Sequence, residues 1–492
     1  MHEIITVQLG HFANFVGTHF WNIQESYFTF NENEDLSPVD HNVHFRAGLG
    51  VDNIETFTPR ALIYDLKGGF GSLRKINQLY QDDSALAKIK DLDLNSLWSG
   101  KRETRESPRV EKNRFQQSLD GGTEPERLTD ETVKYWSDFN RLFYHPRSSV
   151  QFTEYEHANS LTPFESFDLG SQLFEESDKE EDILDTHFRA FAEECDLMQG
   201  LQLLTTVDDA WGGFATSYID SLRDEYPKAT IWTWALERTD RTSRERLLSK
   251  TAASVQSLVG MLPSCTTFVP INIPRPSLRL PSYVIGYDPT SLWRTSALIA
   301  SALETSLLQS RLRAVGSQLK TMTEVSALLN TNGNQQISTL QLNRLNENIG
   351  QIKEAESEDI FPDPVVLSWG GEDKHVFAAH EMLRGIGKSH DSPKIASAKG
   401  SRESKTYCNM PLPLLSSFPD LFEQEKGAEN KNVKLATSLK TSSSVIDHLK
   451  SAQSLVSRVV AFDERETISN GLGELYEAYQ EGWGSDSDDF YD

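Results

Sequence analysis

The first residues of the chain combine a strand, a glycine turn and a helix in an order that can bind phosphate. Residues Glu3–Leu9 (EIITVQL) are apolar and rich in β-branched side chains, which predicts a strand that ends at Gly10. Apolar residues then recur at helical spacing from His11 to Phe28. Amide N–H groups at such a turn point toward a bound anion, and the helix dipole adds to the attraction. The glycines could equally serve only to shape a tight corner between strand and helix.

Carboxylates at the ends of two later strands could take part in the same chemistry. Asp65 lies near the end of the predicted strand Arg60–Leu66, where a carboxylate could orient Mg²⁺ through water. Asp208 and Asp209 follow the predicted strand Leu201–Thr206. This pair could bind a cation, or it could cap the helix that comes after it.

No other group of residues predicts a catalytic or metal centre. His375, His380 and Glu381 have a spacing (HxxxxHE) that is not a standard metal-ligand spacing, and we interpret these histidines as surface or hydrogen-bonded residues. The sequence contains no nucleophile elbow, no Walker loop and no clear Ser/His/Asp or Cys/His set. We therefore predict neither catalytic residues nor a metal site.

Charge and composition exclude several classes of function. The formal net charge of −25 disfavours both nucleic acid and anionic lipid as partners. The three cysteines, Cys195, Cys265 and Cys408, are scattered, which is typical of a reducing compartment and excludes a disulfide framework. No apolar stretch approaches the roughly 20 residues that span a bilayer. The first basic residue other than histidine is Arg46, so we expect no mitochondrial presequence. The expected location is the cytosol, so any contact with mitochondria would be made from their outer side.

Repeated strand–turn–helix order is typical of an α/β fold with a Rossmann-type parallel sheet. We predict such a domain over 1–265, with a charged, mobile insertion at about 82–125. A connector and a long apolar interdomain helix are expected at 266–312. A smaller α+β domain then occupies 313–430, followed by C-terminal helices at 431–480 and an acidic disordered tail at 481–492.

Four segments, in order along the chain, resemble tubulin. They are Gln8–Gly17 with the pair Phe20-Trp21 (QxGxxxNxxG, then FW), Pro59–Leu66 (PRAxxxDL), Glu194–Gln202 (like ESCDxLQGFQ) and Arg223–Pro227 (like REEYP). Further segments resemble the Misato family of tubulin-like proteins, also called Dml: Gln8–Asn22 (QLGHxxNFVGTHxWN), Trp136–Phe139 with His145–Ser148, and the proline-rich Pro411–Leu414 with Ser416–Pro419. The resemblance covers roughly the first 300 residues well and the rest patchily.

The resemblance implies a nucleotide-phosphate site that is degraded. In tubulins the main phosphate loop is GGGTGSG, and the matching segment here is Val207–Gly213 (VDDAWGG). Asp208 and Asp209 lie where phosphate oxygens would be, and Trp211 replaces a glycine with a bulky side chain. The residues that match a nucleotide site, if one is retained, are Gly10, His11, Phe12, Asn14, Asp65, Gly212 and Gly213. The ligand would then be GTP or GDP with Mg²⁺.

The resemblance also implies that hydrolysis is lost and suggests a role for the chain. The hydrolytic loop of tubulins contains an acidic residue, whereas the segment that matches it by position, Gly333–Leu340, has none. The first hypothesis is a non-catalytic cytosolic scaffold in mitochondrial distribution, partitioning and mitochondrial DNA inheritance, acting at the outer membrane's cytosolic face. The second is a weak GTP-binding GTPase that assembles. The third is a tubulin regulator or folding partner. Expected partners are tubulin, the cytosolic chaperonin or proteins of the mitochondrial outer surface.

Overall fold

The structure is a computed structural model that describes most of the chain. The described residues are 3–29, 37–50, 55–75, 77, 79, 110–238, 243–274, 280–313, 321–345, 361, 363–369, 375–386, 402–423, 432–460, 462 and 464–480. The predicted tail at 481–492 and residues 82–109 of the predicted insertion lie outside them.

Strands and helices alternate through the first part of the chain. The strands are Glu3–Leu9 (β1), Phe45–Leu49 (β2), Glu55–Pro59 (β3), Ala61–Lys67 (β4), Ser149–Glu156 (β5), Met198–Thr206 (β6), Ile231–Glu237 (β7), Thr267–Asn272 (β8), Thr339–Arg344 (β9), Val365–Val366 (β10), Val376–Arg384 (β11), Arg402–Cys408 (β12), Leu412–Pro413 (β13), Asn432–Val433 (β14) and Leu435–Ser442 (β15). The α-helices are His11–Glu25 (α1), Arg114–Asp120 (α2), Phe167–Glu181 (α3), Arg189–Glu193 (α4), Ala210–Glu225 (α5), Arg244–Met261 (α6), Leu292–Leu307 (α7), Met322–Leu329 (α8), Val445–Val459 (α9) and Arg465–Gln480 (α10).

The first sheet is parallel and has the Rossmann strand order. Its six strands lie in the order β5-β4-β1-β6-β7-β8, and each neighbouring pair is parallel. Counted along the chain within this sheet, the order is 3-2-1-4-5-6, so the strand order reverses between β1 and β6. The predicted Rossmann-type sheet is therefore confirmed.

Each face of this sheet contributes to a different hydrophobic core. Neighbouring residues of β1 point to opposite faces: Ile4 belongs to a core that includes α1 and α7, and Ile5 belongs to a core that includes α3, α5 and α6. Burial on both faces explains why these strands are continuous apolar runs, which made them visible in the sequence.

The second part of the chain forms a smaller mixed sheet beyond the long helix α7. Its order is β10-β9-β15-β11-β12, with β11 and β12 parallel and the other pairs antiparallel. Almost every residue of α7 is buried, because the helix packs between α1 and the second sheet. The predicted long helix and smaller α+β domain are present.

Several element boundaries differ from the sequence-based expectation. The strand β8 pairs with β7, so the first sheet extends past residue 265. The strand β15 lies between β9 and β11 in the second sheet, so the C-terminal helices expected at 431–480 begin only at Val445. Residues 110–125 contain α2 with the buried Phe115, so regular structure resumes before the expected end of the insertion.

Among the helices that the structure describes, none is both long enough and apolar enough to cross a membrane.

Candidate functional site: a cavity at the carboxyl edge of the first sheet

A cavity of about 590 Å³ lies at the carboxyl ends of the parallel strands. Its volume is in the range of small-molecule sites, and open α/β sheets bind ligands at this edge, where the strand order reverses. The cavity is lined by His11, Phe12, Asp65, Leu66, Lys134, Glu156, His157, Ala158, Asn159, Ser160, Pro163, Phe164, Glu165, Thr206, Asp208, Asp209, Trp211, Arg238, Arg246, Lys250 and Leu292. His11, Phe12 and Asp65 of the predicted site residues therefore reach it.

Gly10 forms the turn from β1 into α1, and Trp211 packs against it. The φ angle of Gly10 is 92°, a left-handed conformation that side chains rarely adopt. A Cβ at Gly10 would lie 2.6 Å from Cδ1 of Trp211, so the indole covers this turn directly. Trp211 is 4% exposed and forms edge contacts with Phe164 and Phe214. A glycine in place of Trp211 would leave open space beside Gly10. The indole of Trp211 fills that space.

Asp209 caps α5 with its own side chain. Its carboxylate accepts hydrogen bonds from the amide of Trp211 at 2.9 Å and from the hydroxyl of Thr206 at 2.7 Å. Burial, and after it the negative charge of Asp208, raises the pKa of Asp209 to about 7. The sequence left open whether Asp209 binds a cation or caps the helix that follows it. The structure shows that it caps the helix.

The carboxylate of Asp208 contacts a lysine ammonium group and a backbone N–H, both from residues later in the chain. Its Oδ2 lies 2.9 Å from Nζ of Lys250 and accepts the backbone N–H of Arg238 at 3.2 Å. The Asp208 side chain is 7% exposed. The protein's own groups, Lys250 and the N–H of Arg238, therefore compensate the negative charge of Asp208.

Asp65 lies at the end of β4 and is fully buried within a set of donors. Its Oδ2 accepts hydrogen bonds from Asn14 at 3.0 Å and Trp136 at 3.2 Å, and lies 3.3 Å from Nδ1 of His11. Burial alone would raise the pKa of Asp65, but the interactions with His11, His157 and Asn14 together outweigh it and hold the pKa below its ordinary value. Asn14 also donates to the carbonyl of Tyr64 at 3.1 Å, which ties α1 to β4.

His157 follows β5 and its ring packs against that of His11, with 3.9 Å between the ring centroids and 34° between the ring planes. Burial lowers the pKa of His157 to about 4, and His11 adds to that effect. The next residue, Ala158, has a φ angle of 59°. His157 was not predicted as a site residue, although it comes directly after a strand of the parallel sheet, and that position is the signal that could have found it.

The predicted site residues Gly212 and Gly213 lie inside α5 and contact neighbouring elements. A Cβ at Gly212 would lie 2.1 Å from Oγ of Ser257 in α6, and a Cβ at Gly213 would lie 1.9 Å from the carbonyl oxygen of Phe167 in α3. Helix packing therefore explains why these two positions have no side chain. Neither glycine lines the cavity.

Three basic residues of the cavity were also missed by sequence reasoning. Arg238 follows β7, while Arg246 and Lys250 belong to α6. Arg246 forms an ion pair with Glu165, with Nε of Arg246 3.0 Å from Oε2 of Glu165. Arg238 also lies over the ring of Phe12, 6.0 Å from its centroid.

The segment that matches the hydrolytic loop packs against the C-terminal helix. The backbone N–H of Ile337 donates to the hydroxyl of Tyr479 at 2.7 Å, and the side chain of Gln335 donates to the carbonyl of Ala478 at 3.1 Å. Ser338 and Gln336 bond to Phe268 in β8. This segment is thereby fixed to α10 and to the edge of the first sheet.

Comparisons with known proteins agree with this architecture. A family model described as Misato Segment II tubulin-like domain matches residues 2–121, and one described as Tubulin domain matches residues 125–312. "Protein DML1" of Gibberella zeae is 41% identical over 511 residues, and "Protein dml1" of Aspergillus oryzae is 40% identical over 503 residues. "Protein DML1" of Yarrowia lipolytica is 30% identical over 511 residues. Each alignment covers 99% of this chain and 99% of the relative. The chain therefore belongs to the Misato/DML1 family of tubulin-like proteins.

Proposed function

We propose that the chain is a non-catalytic tubulin-like scaffold that acts through protein partners in mitochondrial distribution, partitioning and mitochondrial DNA inheritance. Its place of action would be the cytosolic face of the outer membrane. The mitochondrial part of this proposal rests on what membership of the Misato family implies. The non-catalytic part rests on the geometry of the cavity.

The observation that carries the non-catalytic part is the position of Asp209. A phosphate at a helix N-terminus accepts hydrogen bonds from free amides, and here the Asp209 carboxylate accepts the amide of Trp211 instead. The indole of Trp211 in turn covers Gly10, where a phosphate would need close approach to the backbone. A phosphate group would have to displace both side chains.

The charge of the cavity also fails to favour a nucleoside triphosphate. Among the described residues that line it, five are acidic and four are basic: Asp65, Glu156, Glu165, Asp208 and Asp209 against Lys134, Arg238, Arg246 and Lys250. Two of the basic groups are already in ion pairs, Lys250 with Asp208 and Arg246 with Glu165. A polyanion would meet carboxylates without an excess of positive charge to offset them.

Nucleotide content tests the non-catalytic part. The purified full chain is denatured and the released guanine nucleotide is quantified by chromatography, with tubulin prepared in the same way as a positive control. We expect far less than one nucleotide per chain and no GTP hydrolysis above background in the presence of Mg²⁺. One guanine nucleotide per chain, with polymer pelleting that depends on GTP, would support the assembling GTPase instead.

Depletion in cells tests the mitochondrial part. We expect mitochondria to be unevenly partitioned and mitochondrial DNA to be lost while microtubule arrays remain normal, and re-expression of the chain should restore the distribution. If microtubules are lost before mitochondrial distribution changes, and purified chain retains tubulin or the cytosolic chaperonin, the tubulin regulator or folding partner is the better description.

A further inference from the structure

We infer that His11, Asp65 and His157 form a binding site for a single transition-metal ion of the Zn²⁺ type, open to the cavity. The three side chains come from different elements. His11 is the first residue of α1, Asp65 lies near the end of β4, and His157 follows β5. The parallel sheet brings them together at its carboxyl edge.

The distances suit a small ion with short bonds. One ligand atom from each residue lies within 4.8 Å of the others. In a tetrahedral zinc site with bonds near 2.1 Å, neighbouring ligand atoms are about 3.4 Å apart. Nδ1 of His11 and Oδ2 of Asp65 are already 3.3 Å apart. Binding therefore requires only a small inward movement, chiefly by the side chain of His157.

The donor set selects the class of ion. Two imidazoles and one carboxylate are the ligands of many zinc sites that keep a fourth position for water, and imidazole is also a good ligand for other late first-row ions. Mg²⁺ prefers octahedral oxygen ligands, and this group offers one carboxylate. A fourth ligand such as water would come from the cavity that His11, Asp65 and His157 all line.

Neighbouring groups hold the ligands in place. Asn14 and Trp136 donate hydrogen bonds to Oδ2 of Asp65, the kind of support that orients a metal-binding carboxylate. The backbone N–H of His157 donates to the carbonyl of Lys67 at 2.8 Å. Ala158 adopts a left-handed conformation, with φ 59°, directly after His157. Such a conformation is unfavourable for alanine and is retained where the surrounding structure requires that turn.

The competing explanation is a hydrogen-bonded cluster without a metal. His11 would then only donate to Asp65, and the ring of His157 would only pack against that of His11. The two explanations differ in what the purified protein does when a metal is supplied.

Metal titration of the full chain tests the inference. The protein is stripped with a chelator, passed through a desalting column, and titrated with Zn²⁺ alone or Co²⁺ alone. Bound metal is counted by mass spectrometry, and Co²⁺ geometry is monitored by visible absorption. We expect one equivalent of metal per chain, the absorption of four-coordinate Co²⁺, and no comparable binding of Mg²⁺.

Variants locate the bound metal. His157→Gln should weaken Zn²⁺ binding at least tenfold, because it removes one of three protein ligands. The matched control is His187→Gln, which removes a histidine that also lies beside a carboxylate, Glu181, but belongs to no group of three ligands within the described part of the chain. Circular dichroism confirms that each variant is folded. Absence of a bound equivalent in the parent chain, or equal affinity in His157→Gln, overturns the inference. No nucleotide is present in this test, so its outcome is independent of the nucleotide measurement.

Discussion

The indole of Trp211 lies against the α-carbon of Gly10, so that a Cβ at Gly10 would be 2.6 Å from Cδ1 of Trp211. Trp211 belongs to α5 and Gly10 joins β1 to α1, so this contact lies between the two strands at which the sheet order reverses. In a nucleotide-binding relative of this fold, phosphate binds there. Here the indole of Trp211 occupies the space directly beside Gly10, at the wall of the cavity.

This contact predicts that Gly10→Ala is strongly destabilising. Alanine would suffer both the unfavourable φ of 92° and the clash with Trp211. Strain alone costs about 1 kcal/mol, and the clash should bring the loss in the free energy of unfolding to about 2–4 kcal/mol. Urea denaturation measures the difference.

Gly68→Ala is the matched control for that prediction. Gly68 has nearly the same φ, 86°, but no atom of the described residues lies within 4 Å of the Cβ that it would gain. It should lose only the strain, about 1 kcal/mol. Equal losses in the two variants would show that Trp211 does not press on Gly10. Adding Trp211→Ala to Gly10→Ala should then relieve the clash while costing core packing of its own.

Asp209 predicts a specific pH dependence of stability. Its pKa is raised from the usual 3.8 to about 7 by burial and by Asp208. The folded protein therefore holds this proton more tightly than the unfolded chain, and the resulting stability is present below about pH 4 and is lost as the pH rises through about 7. Asparagine cannot ionise and is a good N-cap residue. Asp209→Asn should be more stable than the parent at pH 8, by on the order of 1–2 kcal/mol, with a gain that shrinks toward pH 5.

The neighbouring groups define the controls for the pH experiment. Asp208 and Lys250 interact electrostatically with Asp209 and also with Glu237, whose pKa burial raises to about 7, and all three groups are present in both proteins. Their contributions largely cancel in the difference between the two proteins. Asp209→Ala additionally removes the cap and should be about 1 kcal/mol less stable than Asp209→Asn at every pH. Urea midpoints from pH 5 to pH 8 measure these differences, and a difference that does not change with pH would contradict the raised pKa.

The strand–helix corner at Gly10 could be predicted from the sequence because local signals define it. The apolar, β-branched run of β1 and the position of Gly10 determine that corner, and Asp65 lies near the end of another buried strand. His157 follows β5, an edge strand in which half of the residues are exposed and the apolar pattern is weak, so the strand that would have pointed to His157 was itself not predicted.

The central strand β15 was missed for a related reason. Its sequence, LATSLKTS, contains serine, threonine and lysine in a strand that is almost entirely buried. Pairing with β9 and β11 supplies the backbone hydrogen bonds of β15, and the sequence has no periodicity that indicates a buried strand. The partners of Asp208 and Asp209 could likewise not be predicted from the sequence, because Lys250 and Thr206 belong to elements other than the turn that contains the two aspartates.

A buried ionic cluster predicts that Glu304 is essential to the contact between α7 and the second sheet. Glu304 lies in α7 and is fully buried, and it pairs with Arg311, 2.6 Å away, and with Arg384 of β11. Burial opposes its ionisation, but the two arginines outweigh this and lower the pKa of Glu304. Tyr27 also donates to Glu304 at 2.8 Å. Glu304→Gln leaves buried positive charge without compensation and should cost about 3–5 kcal/mol.

An exposed carboxylate provides the comparison for Glu304. Glu25 pairs with Arg141 at 3.3 Å, and both side chains are partly exposed. Glu25→Gln makes the same chemical change in a solvated pair and should cost less than about 1 kcal/mol. Urea denaturation of both variants measures the contrast. Losses of similar size would mean that the buried cluster does not stabilise the contact between α7 and the second sheet.

Tyr479 predicts how firmly the C-terminal helix holds the segment that matches the hydrolytic loop. Its buried hydroxyl accepts the N–H of Ile337 at 2.7 Å and donates to the carbonyl of Ile337 at 2.9 Å. Tyr479→Phe leaves two buried backbone groups without that partner and should cost about 1–3 kcal/mol. Tyr476→Phe, in the same helix but only partly buried, should change stability by less than about 0.5 kcal/mol. Hydrogen exchange of the Ile337 amide should accelerate only in Tyr479→Phe. If that amide exchanges equally slowly in both variants, α10 is not what fixes the segment, and its ordering must come from the bonds to Phe268.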